Sequence, residues 1–586
     1  MKLKFKHQQF QKDAAQAVTD VFFGQPFSDK NTYQIDQGKG GGNFFEMIGT
    51  SNMPLKIERQ TLVDNIRQVE MRQGMRPIDR LEGGKDLKLT IEMETGTGKT
   101  YTYIKTMYEL NAKYGWSKFI IVVPSVAIRE GVKKSFDILQ DHFAQDYGKR
   151  IQYFIYDSSQ PTKIDIFASD TNMHVMIINT QAFNARGEDA RRIYMALDSF
   201  RSRKPIDVIA ATNPILIIDE PQSVLGSNKA NATREKLEAF HPLFTLLYSA
   251  THRKDDIYNM IYRLDAMDAY NKKLVKKIAV KGIEQKGSTA TNGYFNLQEI
   301  VISTGNPQAR ISFDIKSPTG VKQTTKTVDE GFDLYVQSGE LAEYKDGYVI
   351  QSIDGREGSV TLLNGQKFYE GDVVGAVNED ALRRIQISET IYTHLERERE
   401  LYRKGIKVLS LFFIDHVENY RVYEEGGGTS NGKFAEMFEE EYKKAVESLQ
   451  LNFDEEDFVQ YLKKWQPEQV HQGYFSKDKK GRFVNSKLER GTTDSNDRDA
   501  YDLIMKDKER LLSFDEPVRF IFSHSALKEG WDNPNVFQIC TLKNSDNETK
   551  KRQEVGRGMR LCVNNRGERQ DEDVLGMDVQ DRKSVV

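Results

Sequence analysis

Thr90-Ile91-Glu92-Met93-Glu94-Thr95-Gly96-Thr97-Gly98-Lys99-Thr100 runs from a short apolar stretch into a glycine-punctuated turn that ends Lys-Thr, and a helical stretch follows from Tyr101. Strand, glycine turn and helix in that order make a cradle for phosphate. Gly96 and Gly98 let backbone N–H groups turn inward, and the helix N-terminus adds its positive end. In such a cradle Thr95, Gly96, Thr97 and Gly98 wrap the phosphates and Lys99 reaches the outer ones. The Thr100 hydroxyl is placed to ligate Mg²⁺, so the stretch predicts ATP and Mg²⁺ binding. The general phosphate-loop pattern carries a glycine where this chain has Met93.

Such a loop needs a carboxylate at the end of a neighbouring buried strand. Pro214-Ile215-Leu216-Ile217-Ile218-Asp219-Glu220-Pro221-Gln222 supplies two. Asp219 is expected to hold Mg²⁺, and Glu220 to orient and deprotonate an attacking water. On its own an Asp-Glu pair after an apolar run is usually a solvated strand end. The upstream loop reverses that reading.

Outward from this pair, short apolar runs alternate with helical stretches between about 85 and 265: Thr90–Met93, Phe119–Val123, Val175–Ile178, Ile215–Ile218 and Phe244–Tyr248. Strands of that texture separated by helices predict a parallel α/β sheet. Between about 290 and 376 the pattern changes. Ile311–Ile315 alternates with period two, and Asp346-Gly347, Asp354-Gly355 and Asn364-Gly365 are hairpin-turn signals, so a small antiparallel insertion is expected. Strands return at Val408–Ile414, Val518–Phe522 and Val536–Leu542, with helices expected over Tyr501–Leu512 and around Thr549–Leu561. The resulting division is 1–50, an N-terminal helix (Phe10, Ala14, Ala17, Val18, Val21, Phe22) and the glycine-rich loop 38–42; 51–270, a first nucleotide-binding lobe; 271–400, linker and β-rich insertion; 401–580, a second lobe expected to be incomplete at its C-terminus; and 581–586, a tail expected to be non-native.

Bulk composition narrows the class. The 586 residues are too many for one hydrophobic core, and 38% hydrophobic with 29% charged residues is a globular balance. No apolar run approaches the ~20 residues needed to span a bilayer, so no membrane association is expected. The N-terminus carries no secretory signal, and two cysteines make no disulfide framework or four-ligand zinc site. Cytoplasmic residence follows by default. A net charge of −3 means that any nucleic-acid contact must be local.

Three further segments exceed what a simple ATPase requires. Tyr248-Ser249-Ala250-Thr251-His252 ends another apolar strand, with hydroxyl residues able to link the nucleotide to a second ligand. Ser523–Asp532 follows the strand Val518–Phe522. Gln553-Glu554-Val555-Gly556-Arg557-Gly558-Met559-Arg560 puts two arginines three apart, as on one face of a helix, where they can neutralise charge growing on a γ-phosphate.

Taken together, Thr-Gly-Thr-Gly-Lys-Thr, Asp-Glu-Pro-Gln, Ser-Ala-Thr and Gln-Glu-Val-Gly-Arg-Gly-Met-Arg resemble, in order and spacing, the motifs of superfamily 2 helicases, which use this shortened phosphate loop. Leu411–Asp415, Leu527–Phe537 and Arg560–Asn564 narrow the resemblance to the Res subunit of type III restriction enzymes. It implies an α/β fold of two RecA-like lobes, ATP hydrolysis between them on duplex DNA, and a methyltransferase (Mod) partner that reads the sequence. By resemblance, Gln11 is the adenine-reading glutamine and Arg557 and Arg560 are arginine fingers. Gly530 and Asp532 couple nucleotide to DNA and, with Gln553, count among the nucleotide contacts. Pro124, Ser125, Thr180 and Gln181 touch the DNA backbone, for which hydroxyl and amide donors are suited.

Res subunits carry a C-terminal nuclease domain, for which about 25 residues after Arg560 leave no room. Asp581–Val586 also reads as a translated sequencing adapter. A truncated reading frame is therefore expected, with motor but no nuclease. Two alternatives stand beside this reading: another superfamily 2 enzyme, such as a type I restriction motor or an RNA helicase, and a degenerate scaffold that docks to a methyltransferase.

Overall fold

Alternate residues of the first lobe's strands face two different hydrophobic cores. Ile121, Val123, Ile215 and Ile217 pack on one face, and Ile120, Val122, Leu216 and Ile218 on the other. A sheet covered on both faces has no place for polar alternation, which is why these strands read as unbroken apolar runs. The computed structural model describes residues 4–29, 31–35, 38, 48–83, 86–184, 192–226, 232–280, 294–302, 305–317, 320–370, 372–374, 379–423, 428–449, 455–477, 483–484, 509–524, 533–543, 551, 554–571 and 583–585.

The first sheet has seven strands: β1 (Lys88–Met93), β2 (Lys118–Val123), β3 (Gln152–Ile155), β4 (His174–Asn179), β5 (Ile215–Asp219), β6 (Phe244–Ser249) and β7 (Met260–Leu264). Every pairing is parallel, in the order β3-β4-β2-β5-β6-β1-β7. The five expected strands are all present. The edge strands β3 and β7 complete the sheet and are additions to the sequence reading. The N-terminal helix Gln9–Val21 buries Phe10, Ala14, Ala17, Val18 and Val21 in the core that holds β1.

A second parallel sheet contains β8 (Lys277–Ala279), β9 (Leu409–Phe413), β10 (His471–Tyr474), β11 (Phe520–Ser523), β12 (Val536–Thr541) and β13 (Lys583–Val585), ordered β8-β13-β12-β9-β11-β10. β8 precedes the insertion in sequence yet pairs here, with Lys277 opposite Lys583. Lys276 fixes its approach, donating from Nζ to the carbonyls of Pro534 at 2.8 Å and Val536 at 2.6 Å. The chain thus holds two RecA-like parallel lobes with an antiparallel insertion between them in sequence.

Residues 281–387 form a separate compact unit. Its strands Phe295–Val301, Gln308–Ser317 and Gly320–Val328 pair antiparallel, and Ile350–Asp354, Ser359–Leu362 and Lys367–Tyr369 form a second antiparallel sheet. Asp354-Gly355 and Asn364-Gly365 sit at hairpin turns as expected. Asp346-Gly347 does not. It follows the short 3₁₀ turn Ala342–Tyr344 and leads into Ile350, joining no two neighbouring strands.

Two helix expectations change. Over Tyr501–Leu512, residues 501–508 lie outside the described residues, and Arg510–Leu512 is a single 3₁₀ turn. Near Thr549–Leu561 the helical backbone stops at Gly556, and the next residues make a turn. The glycine-rich stretches near 40 and 427 lie largely outside the described residues. Among the described residues no helix is long and apolar enough to cross a membrane.

Candidate nucleotide site

The phosphate loop lies between β1 and the helix Lys99–Tyr114, with Gly96 and Gly98 at positive φ, 86° and 91°. Glu94 folds the loop on itself. Its carboxylate accepts from Thr95 N–H at 2.6 Å, and its carbonyl accepts from the Thr97 hydroxyl at 2.7 Å. Gln11, carried by the N-terminal helix, donates from Nε2 to the Thr97 carbonyl at 2.9 Å and is buried. Gly98 is left-handed, and a Cβ there would also come 2.5 Å from that amide nitrogen, so another residue would be strained and would displace Gln11 from the loop.

Lys99 reaches across to the adjacent carboxylates, and its Nζ donates to Glu220 Oε1. Burial is the largest influence on Lys99 and works against its charge. The attraction of Glu220, Asp219 and Glu94 outweighs it and raises the lysine above its ordinary value. Burial and the Glu220 charge push Asp219 up to about 7, against the pull of Lys99. Burial acts on Glu220 too, but Lys99, Gln222 and Ser249 together hold it below the usual carboxylate range.

Glu220 is distinctive in its backbone as well. It adopts φ 54°, ψ 60°, the left-handed region that a non-glycine residue occupies at a cost of roughly 1–2 kcal/mol. Its N–H donates to the Tyr248 carbonyl at 3.0 Å. Gln222 Nε2 and Ser249 Oγ both donate to Oε2, the latter at 3.1 Å. Ser249 also bonds Gln222 Oε1 at 3.0 Å and accepts from Thr251 N–H at 3.1 Å. The Ser-Ala-Thr segment therefore grips the carboxylate directly, a contact the sequence reading placed only in general terms.

Arg557 and Arg560 do line the same cavity of about 880 Å³, together with the phosphate loop, Gln11, Asp219 and Glu220. They are not on a helix face as expected: Arg557 is in a turn and Arg560 forms an isolated bridge with Val275. Gly556 and Gly558 end the helix and bring the segment down on the loop instead. A Cβ on Gly556 would lie 2.8 Å from Thr95 Cγ2, and the Arg560 stem passes over Gly96. Lys551 and Arg569 add cations to the lining that no motif marked. Gly530, Asp532 and Gln553 lie outside the described residues.

Pro124, Ser125, Thr180 and Gln181 come together at the adjacent carboxyl ends of β2 and β4. The Thr180 hydroxyl donates to the Pro124 carbonyl at 3.1 Å, and Ser125 caps the helix Val126–Tyr147 by accepting from Ile128 N–H at 3.4 Å. Gln181 Oε1 accepts from Asn179 Nδ2 at 3.3 Å.

The donor set fits a nucleotide with Mg²⁺. A glycine cradle stands beside three carboxylates facing one ammonium, and burial and the Glu220 charge disfavour a charged Asp219, which a bound cation would offset. Two parallel RecA-like lobes thus carry the phosphate loop and acidic pair on one and the paired arginines on the other. Residues 55–254 match the family model described as type III restriction enzyme, res subunit. The chain is related in sequence to Res subunits of type III restriction-modification enzymes, as its motifs indicate. It is 34% identical to the EcoP15I Res subunit of Escherichia coli over 88% of this chain and 52% of that protein. It is 33% identical to the EcoPI Res subunit of Escherichia phage P1 (88% and 51%) and 30% to the StyLTI Res subunit of Salmonella typhimurium (82% and 50%). The chain spans about half the length of these relatives.

Proposed function

We propose that this chain hydrolyses ATP between its two lobes while bound to duplex DNA, as the motor of a type III Res subunit partnered by a methyltransferase (Mod) subunit. One observation carries the reading: Lys99, Asp219, Glu220, Arg557 and Arg560 line a single cavity.

The Lys99–Glu220 pair gives the cycle its logic. Phosphate seated in the loop competes for the Lys99 ammonium and draws it off Glu220. Glu220, still held by Ser249 and Gln222, then accepts the proton of the attacking water. Arg557 and Arg560 stabilise the charge that builds on the transferred phosphoryl group, a contribution worth roughly 10³-fold or more in rate. Thr100 and Asp219 would hold Mg²⁺, which when bound neutralises phosphate charge. Pro124, Ser125, Thr180 and Gln181 are proposed to meet the DNA backbone, and Gly530, Asp532 and Gln553 to join the nucleotide contacts.

Steady-state ATPase assays with duplex DNA, single strands or RNA, on the chain alone and with a cognate methyltransferase, test this reading. Stimulation by duplex is expected. Strict dependence on RNA would refute the assignment, and turnover by Lys99→Ala equal to the parent would show that the site lies elsewhere.

A further inference from the structure

Residues 4–8, just ahead of the N-terminal helix, touch both lobes. On the second-lobe side, Lys4 N–H donates to the Gly567 carbonyl at 3.1 Å and its Nζ meets Glu568 at 2.9 Å, while Lys6 pairs with Asp571 at 3.2 Å. On the first-lobe side, His7 Nε2 lies 3.4 Å from Asp146 Oδ1. Four residues beyond His7, on the helix that the strap leads into, Gln11 bonds the phosphate loop.

The first-lobe anchor contains more than an ion pair. His142 and Asp146 are one turn apart on the helix Val126–Tyr147, on the same face, and His7 meets both. The His7 and His142 rings are 4.9 Å apart, and one ligand atom from each of the three residues lies within 4.8 Å of the others. A plain ion pair needs one imidazole. A second beside it weakens the pair whenever both are protonated, whereas a cation that takes neutral imidazoles and a carboxylate uses all three. One nitrogen of His142 is held by a neighbour, as is common for metal-ligating imidazoles. Phe5, Tyr101 and Phe143 rings surround His142, and the Tyr101 hydroxyl holds Nε2 at 2.8 Å. Tyr101 directly follows Thr100 of the phosphate loop.

We propose that His7, His142 and Asp146 bind a divalent transition cation of the zinc class, clamping the N-terminal strap onto the first lobe. Water completes the shell in a four-coordinate arrangement. A cation there fixes the point from which the strap runs to Glu568 and Asp571, and bears on Tyr101 behind the phosphate loop. The site stands apart from the ATP reading, because it is tested without nucleotide.

The test is a Co²⁺ titration of the tag-free chain in saturating Mg²⁺, followed by the visible absorption of bound Co²⁺. The parent is expected to take up one ion here, with bands of a low-symmetry site. His7→Ala and Asp146→Asn should each weaken that binding at least about tenfold, while His241→Ala, a histidine outside the cluster, leaves it unchanged. His7 is exposed, so its variant should fold, which far-ultraviolet circular dichroism checks. Amide exchange at residues 4–8 should slow on Co²⁺ addition in the parent and not in His7→Ala. Equal Co²⁺ affinity in parent and His7→Ala, or no bound ion in the parent, overturns the proposal.

Discussion

At the scale of single residues, Asp219 illustrates how a site is kept at the expense of stability. Burial, and then the neighbouring Glu220 charge, push its carboxyl up to about 7 in the fold, against an ordinary value of 3.8. Between those values the folded chain holds a proton that the unfolded chain has released, so stability falls as pH rises from about 4 to 7 and the penalty is complete above that. Asp219→Asn removes the penalty. Thermal unfolding without Mg²⁺ should show the variant close to the parent at pH 4 and more stable at pH 8 by a few kcal/mol, up to about 4. An unchanged stability difference across that range would contradict the assignment. Glu220, held in the left-handed region, is strained beside it, and both residues are ones that a search for stability alone would replace.

At the scale of elements, the phosphate loop, β5 and β6 work as one assembly because their carboxyl ends meet. Ser249, the last residue of β6, has its single hydroxyl proton within reach of both Glu220 Oε2 and Gln222 Oε1. Ser249→Ala should lower kcat about tenfold, as expected for one lost hydrogen bond to a charged group, with KM little changed. A fall in ATP affinity with kcat intact would place Ser249 in binding instead. Local chemistry also explains what the sequence disclosed. β2, β4, β5, β6, β9, β11 and β12 were legible because burial on both faces makes their runs predominantly apolar, and β1 because its short apolar stretch runs straight into the phosphate loop. β3 (Gln152-Tyr153-Phe154-Ile155) and β10 (His471-Gln472-Gly473-Tyr474) are short and partly polar, and their pairing is decided by neighbours rather than by pattern. Lys99, Asp219 and Glu220 were legible because strand and turn chemistry fix their positions locally. The paired arginines were found, but their helix was not, since Gly556 answers to the approach of Thr95 rather than to helical propensity. Ser249's grip on Glu220, and the convergence of His7 with His142, depend on contacts far apart in sequence that no motif encodes.

At the scale of the molecule, the second lobe is organised around charge as much as around apolar packing. Arg519 and Glu398 are fully buried and paired, Arg519 also donates to the Tyr442 hydroxyl, and the Tyr461 hydroxyl donates to Glu398 at 3.1 Å. Three helices and the residue leading into β11 thus share one buried pair. Burial opposes the Glu398 charge, yet Arg519 and His394 hold the carboxyl at about 2. Glu398→Ala strands the Arg519 cation and should cost about 3–5 kcal/mol in urea unfolding. A loss under about 1 kcal/mol would mean that water reaches the guanidinium.

The strand β8 carries a consequence for how the chain is made. Lys277–Ala279 leaves the ribosome soon after the first lobe is complete, but its pairing partners are built from residues beyond 530. At roughly 5–20 residues per second it waits on the order of tens of seconds. During that interval the insertion can fold on its own core while an unpaired strand edge stays open to misassembly. The second sheet is therefore the late and aggregation-exposed step of biosynthesis, and a chaperone's effect on yield should fall there rather than on the first lobe.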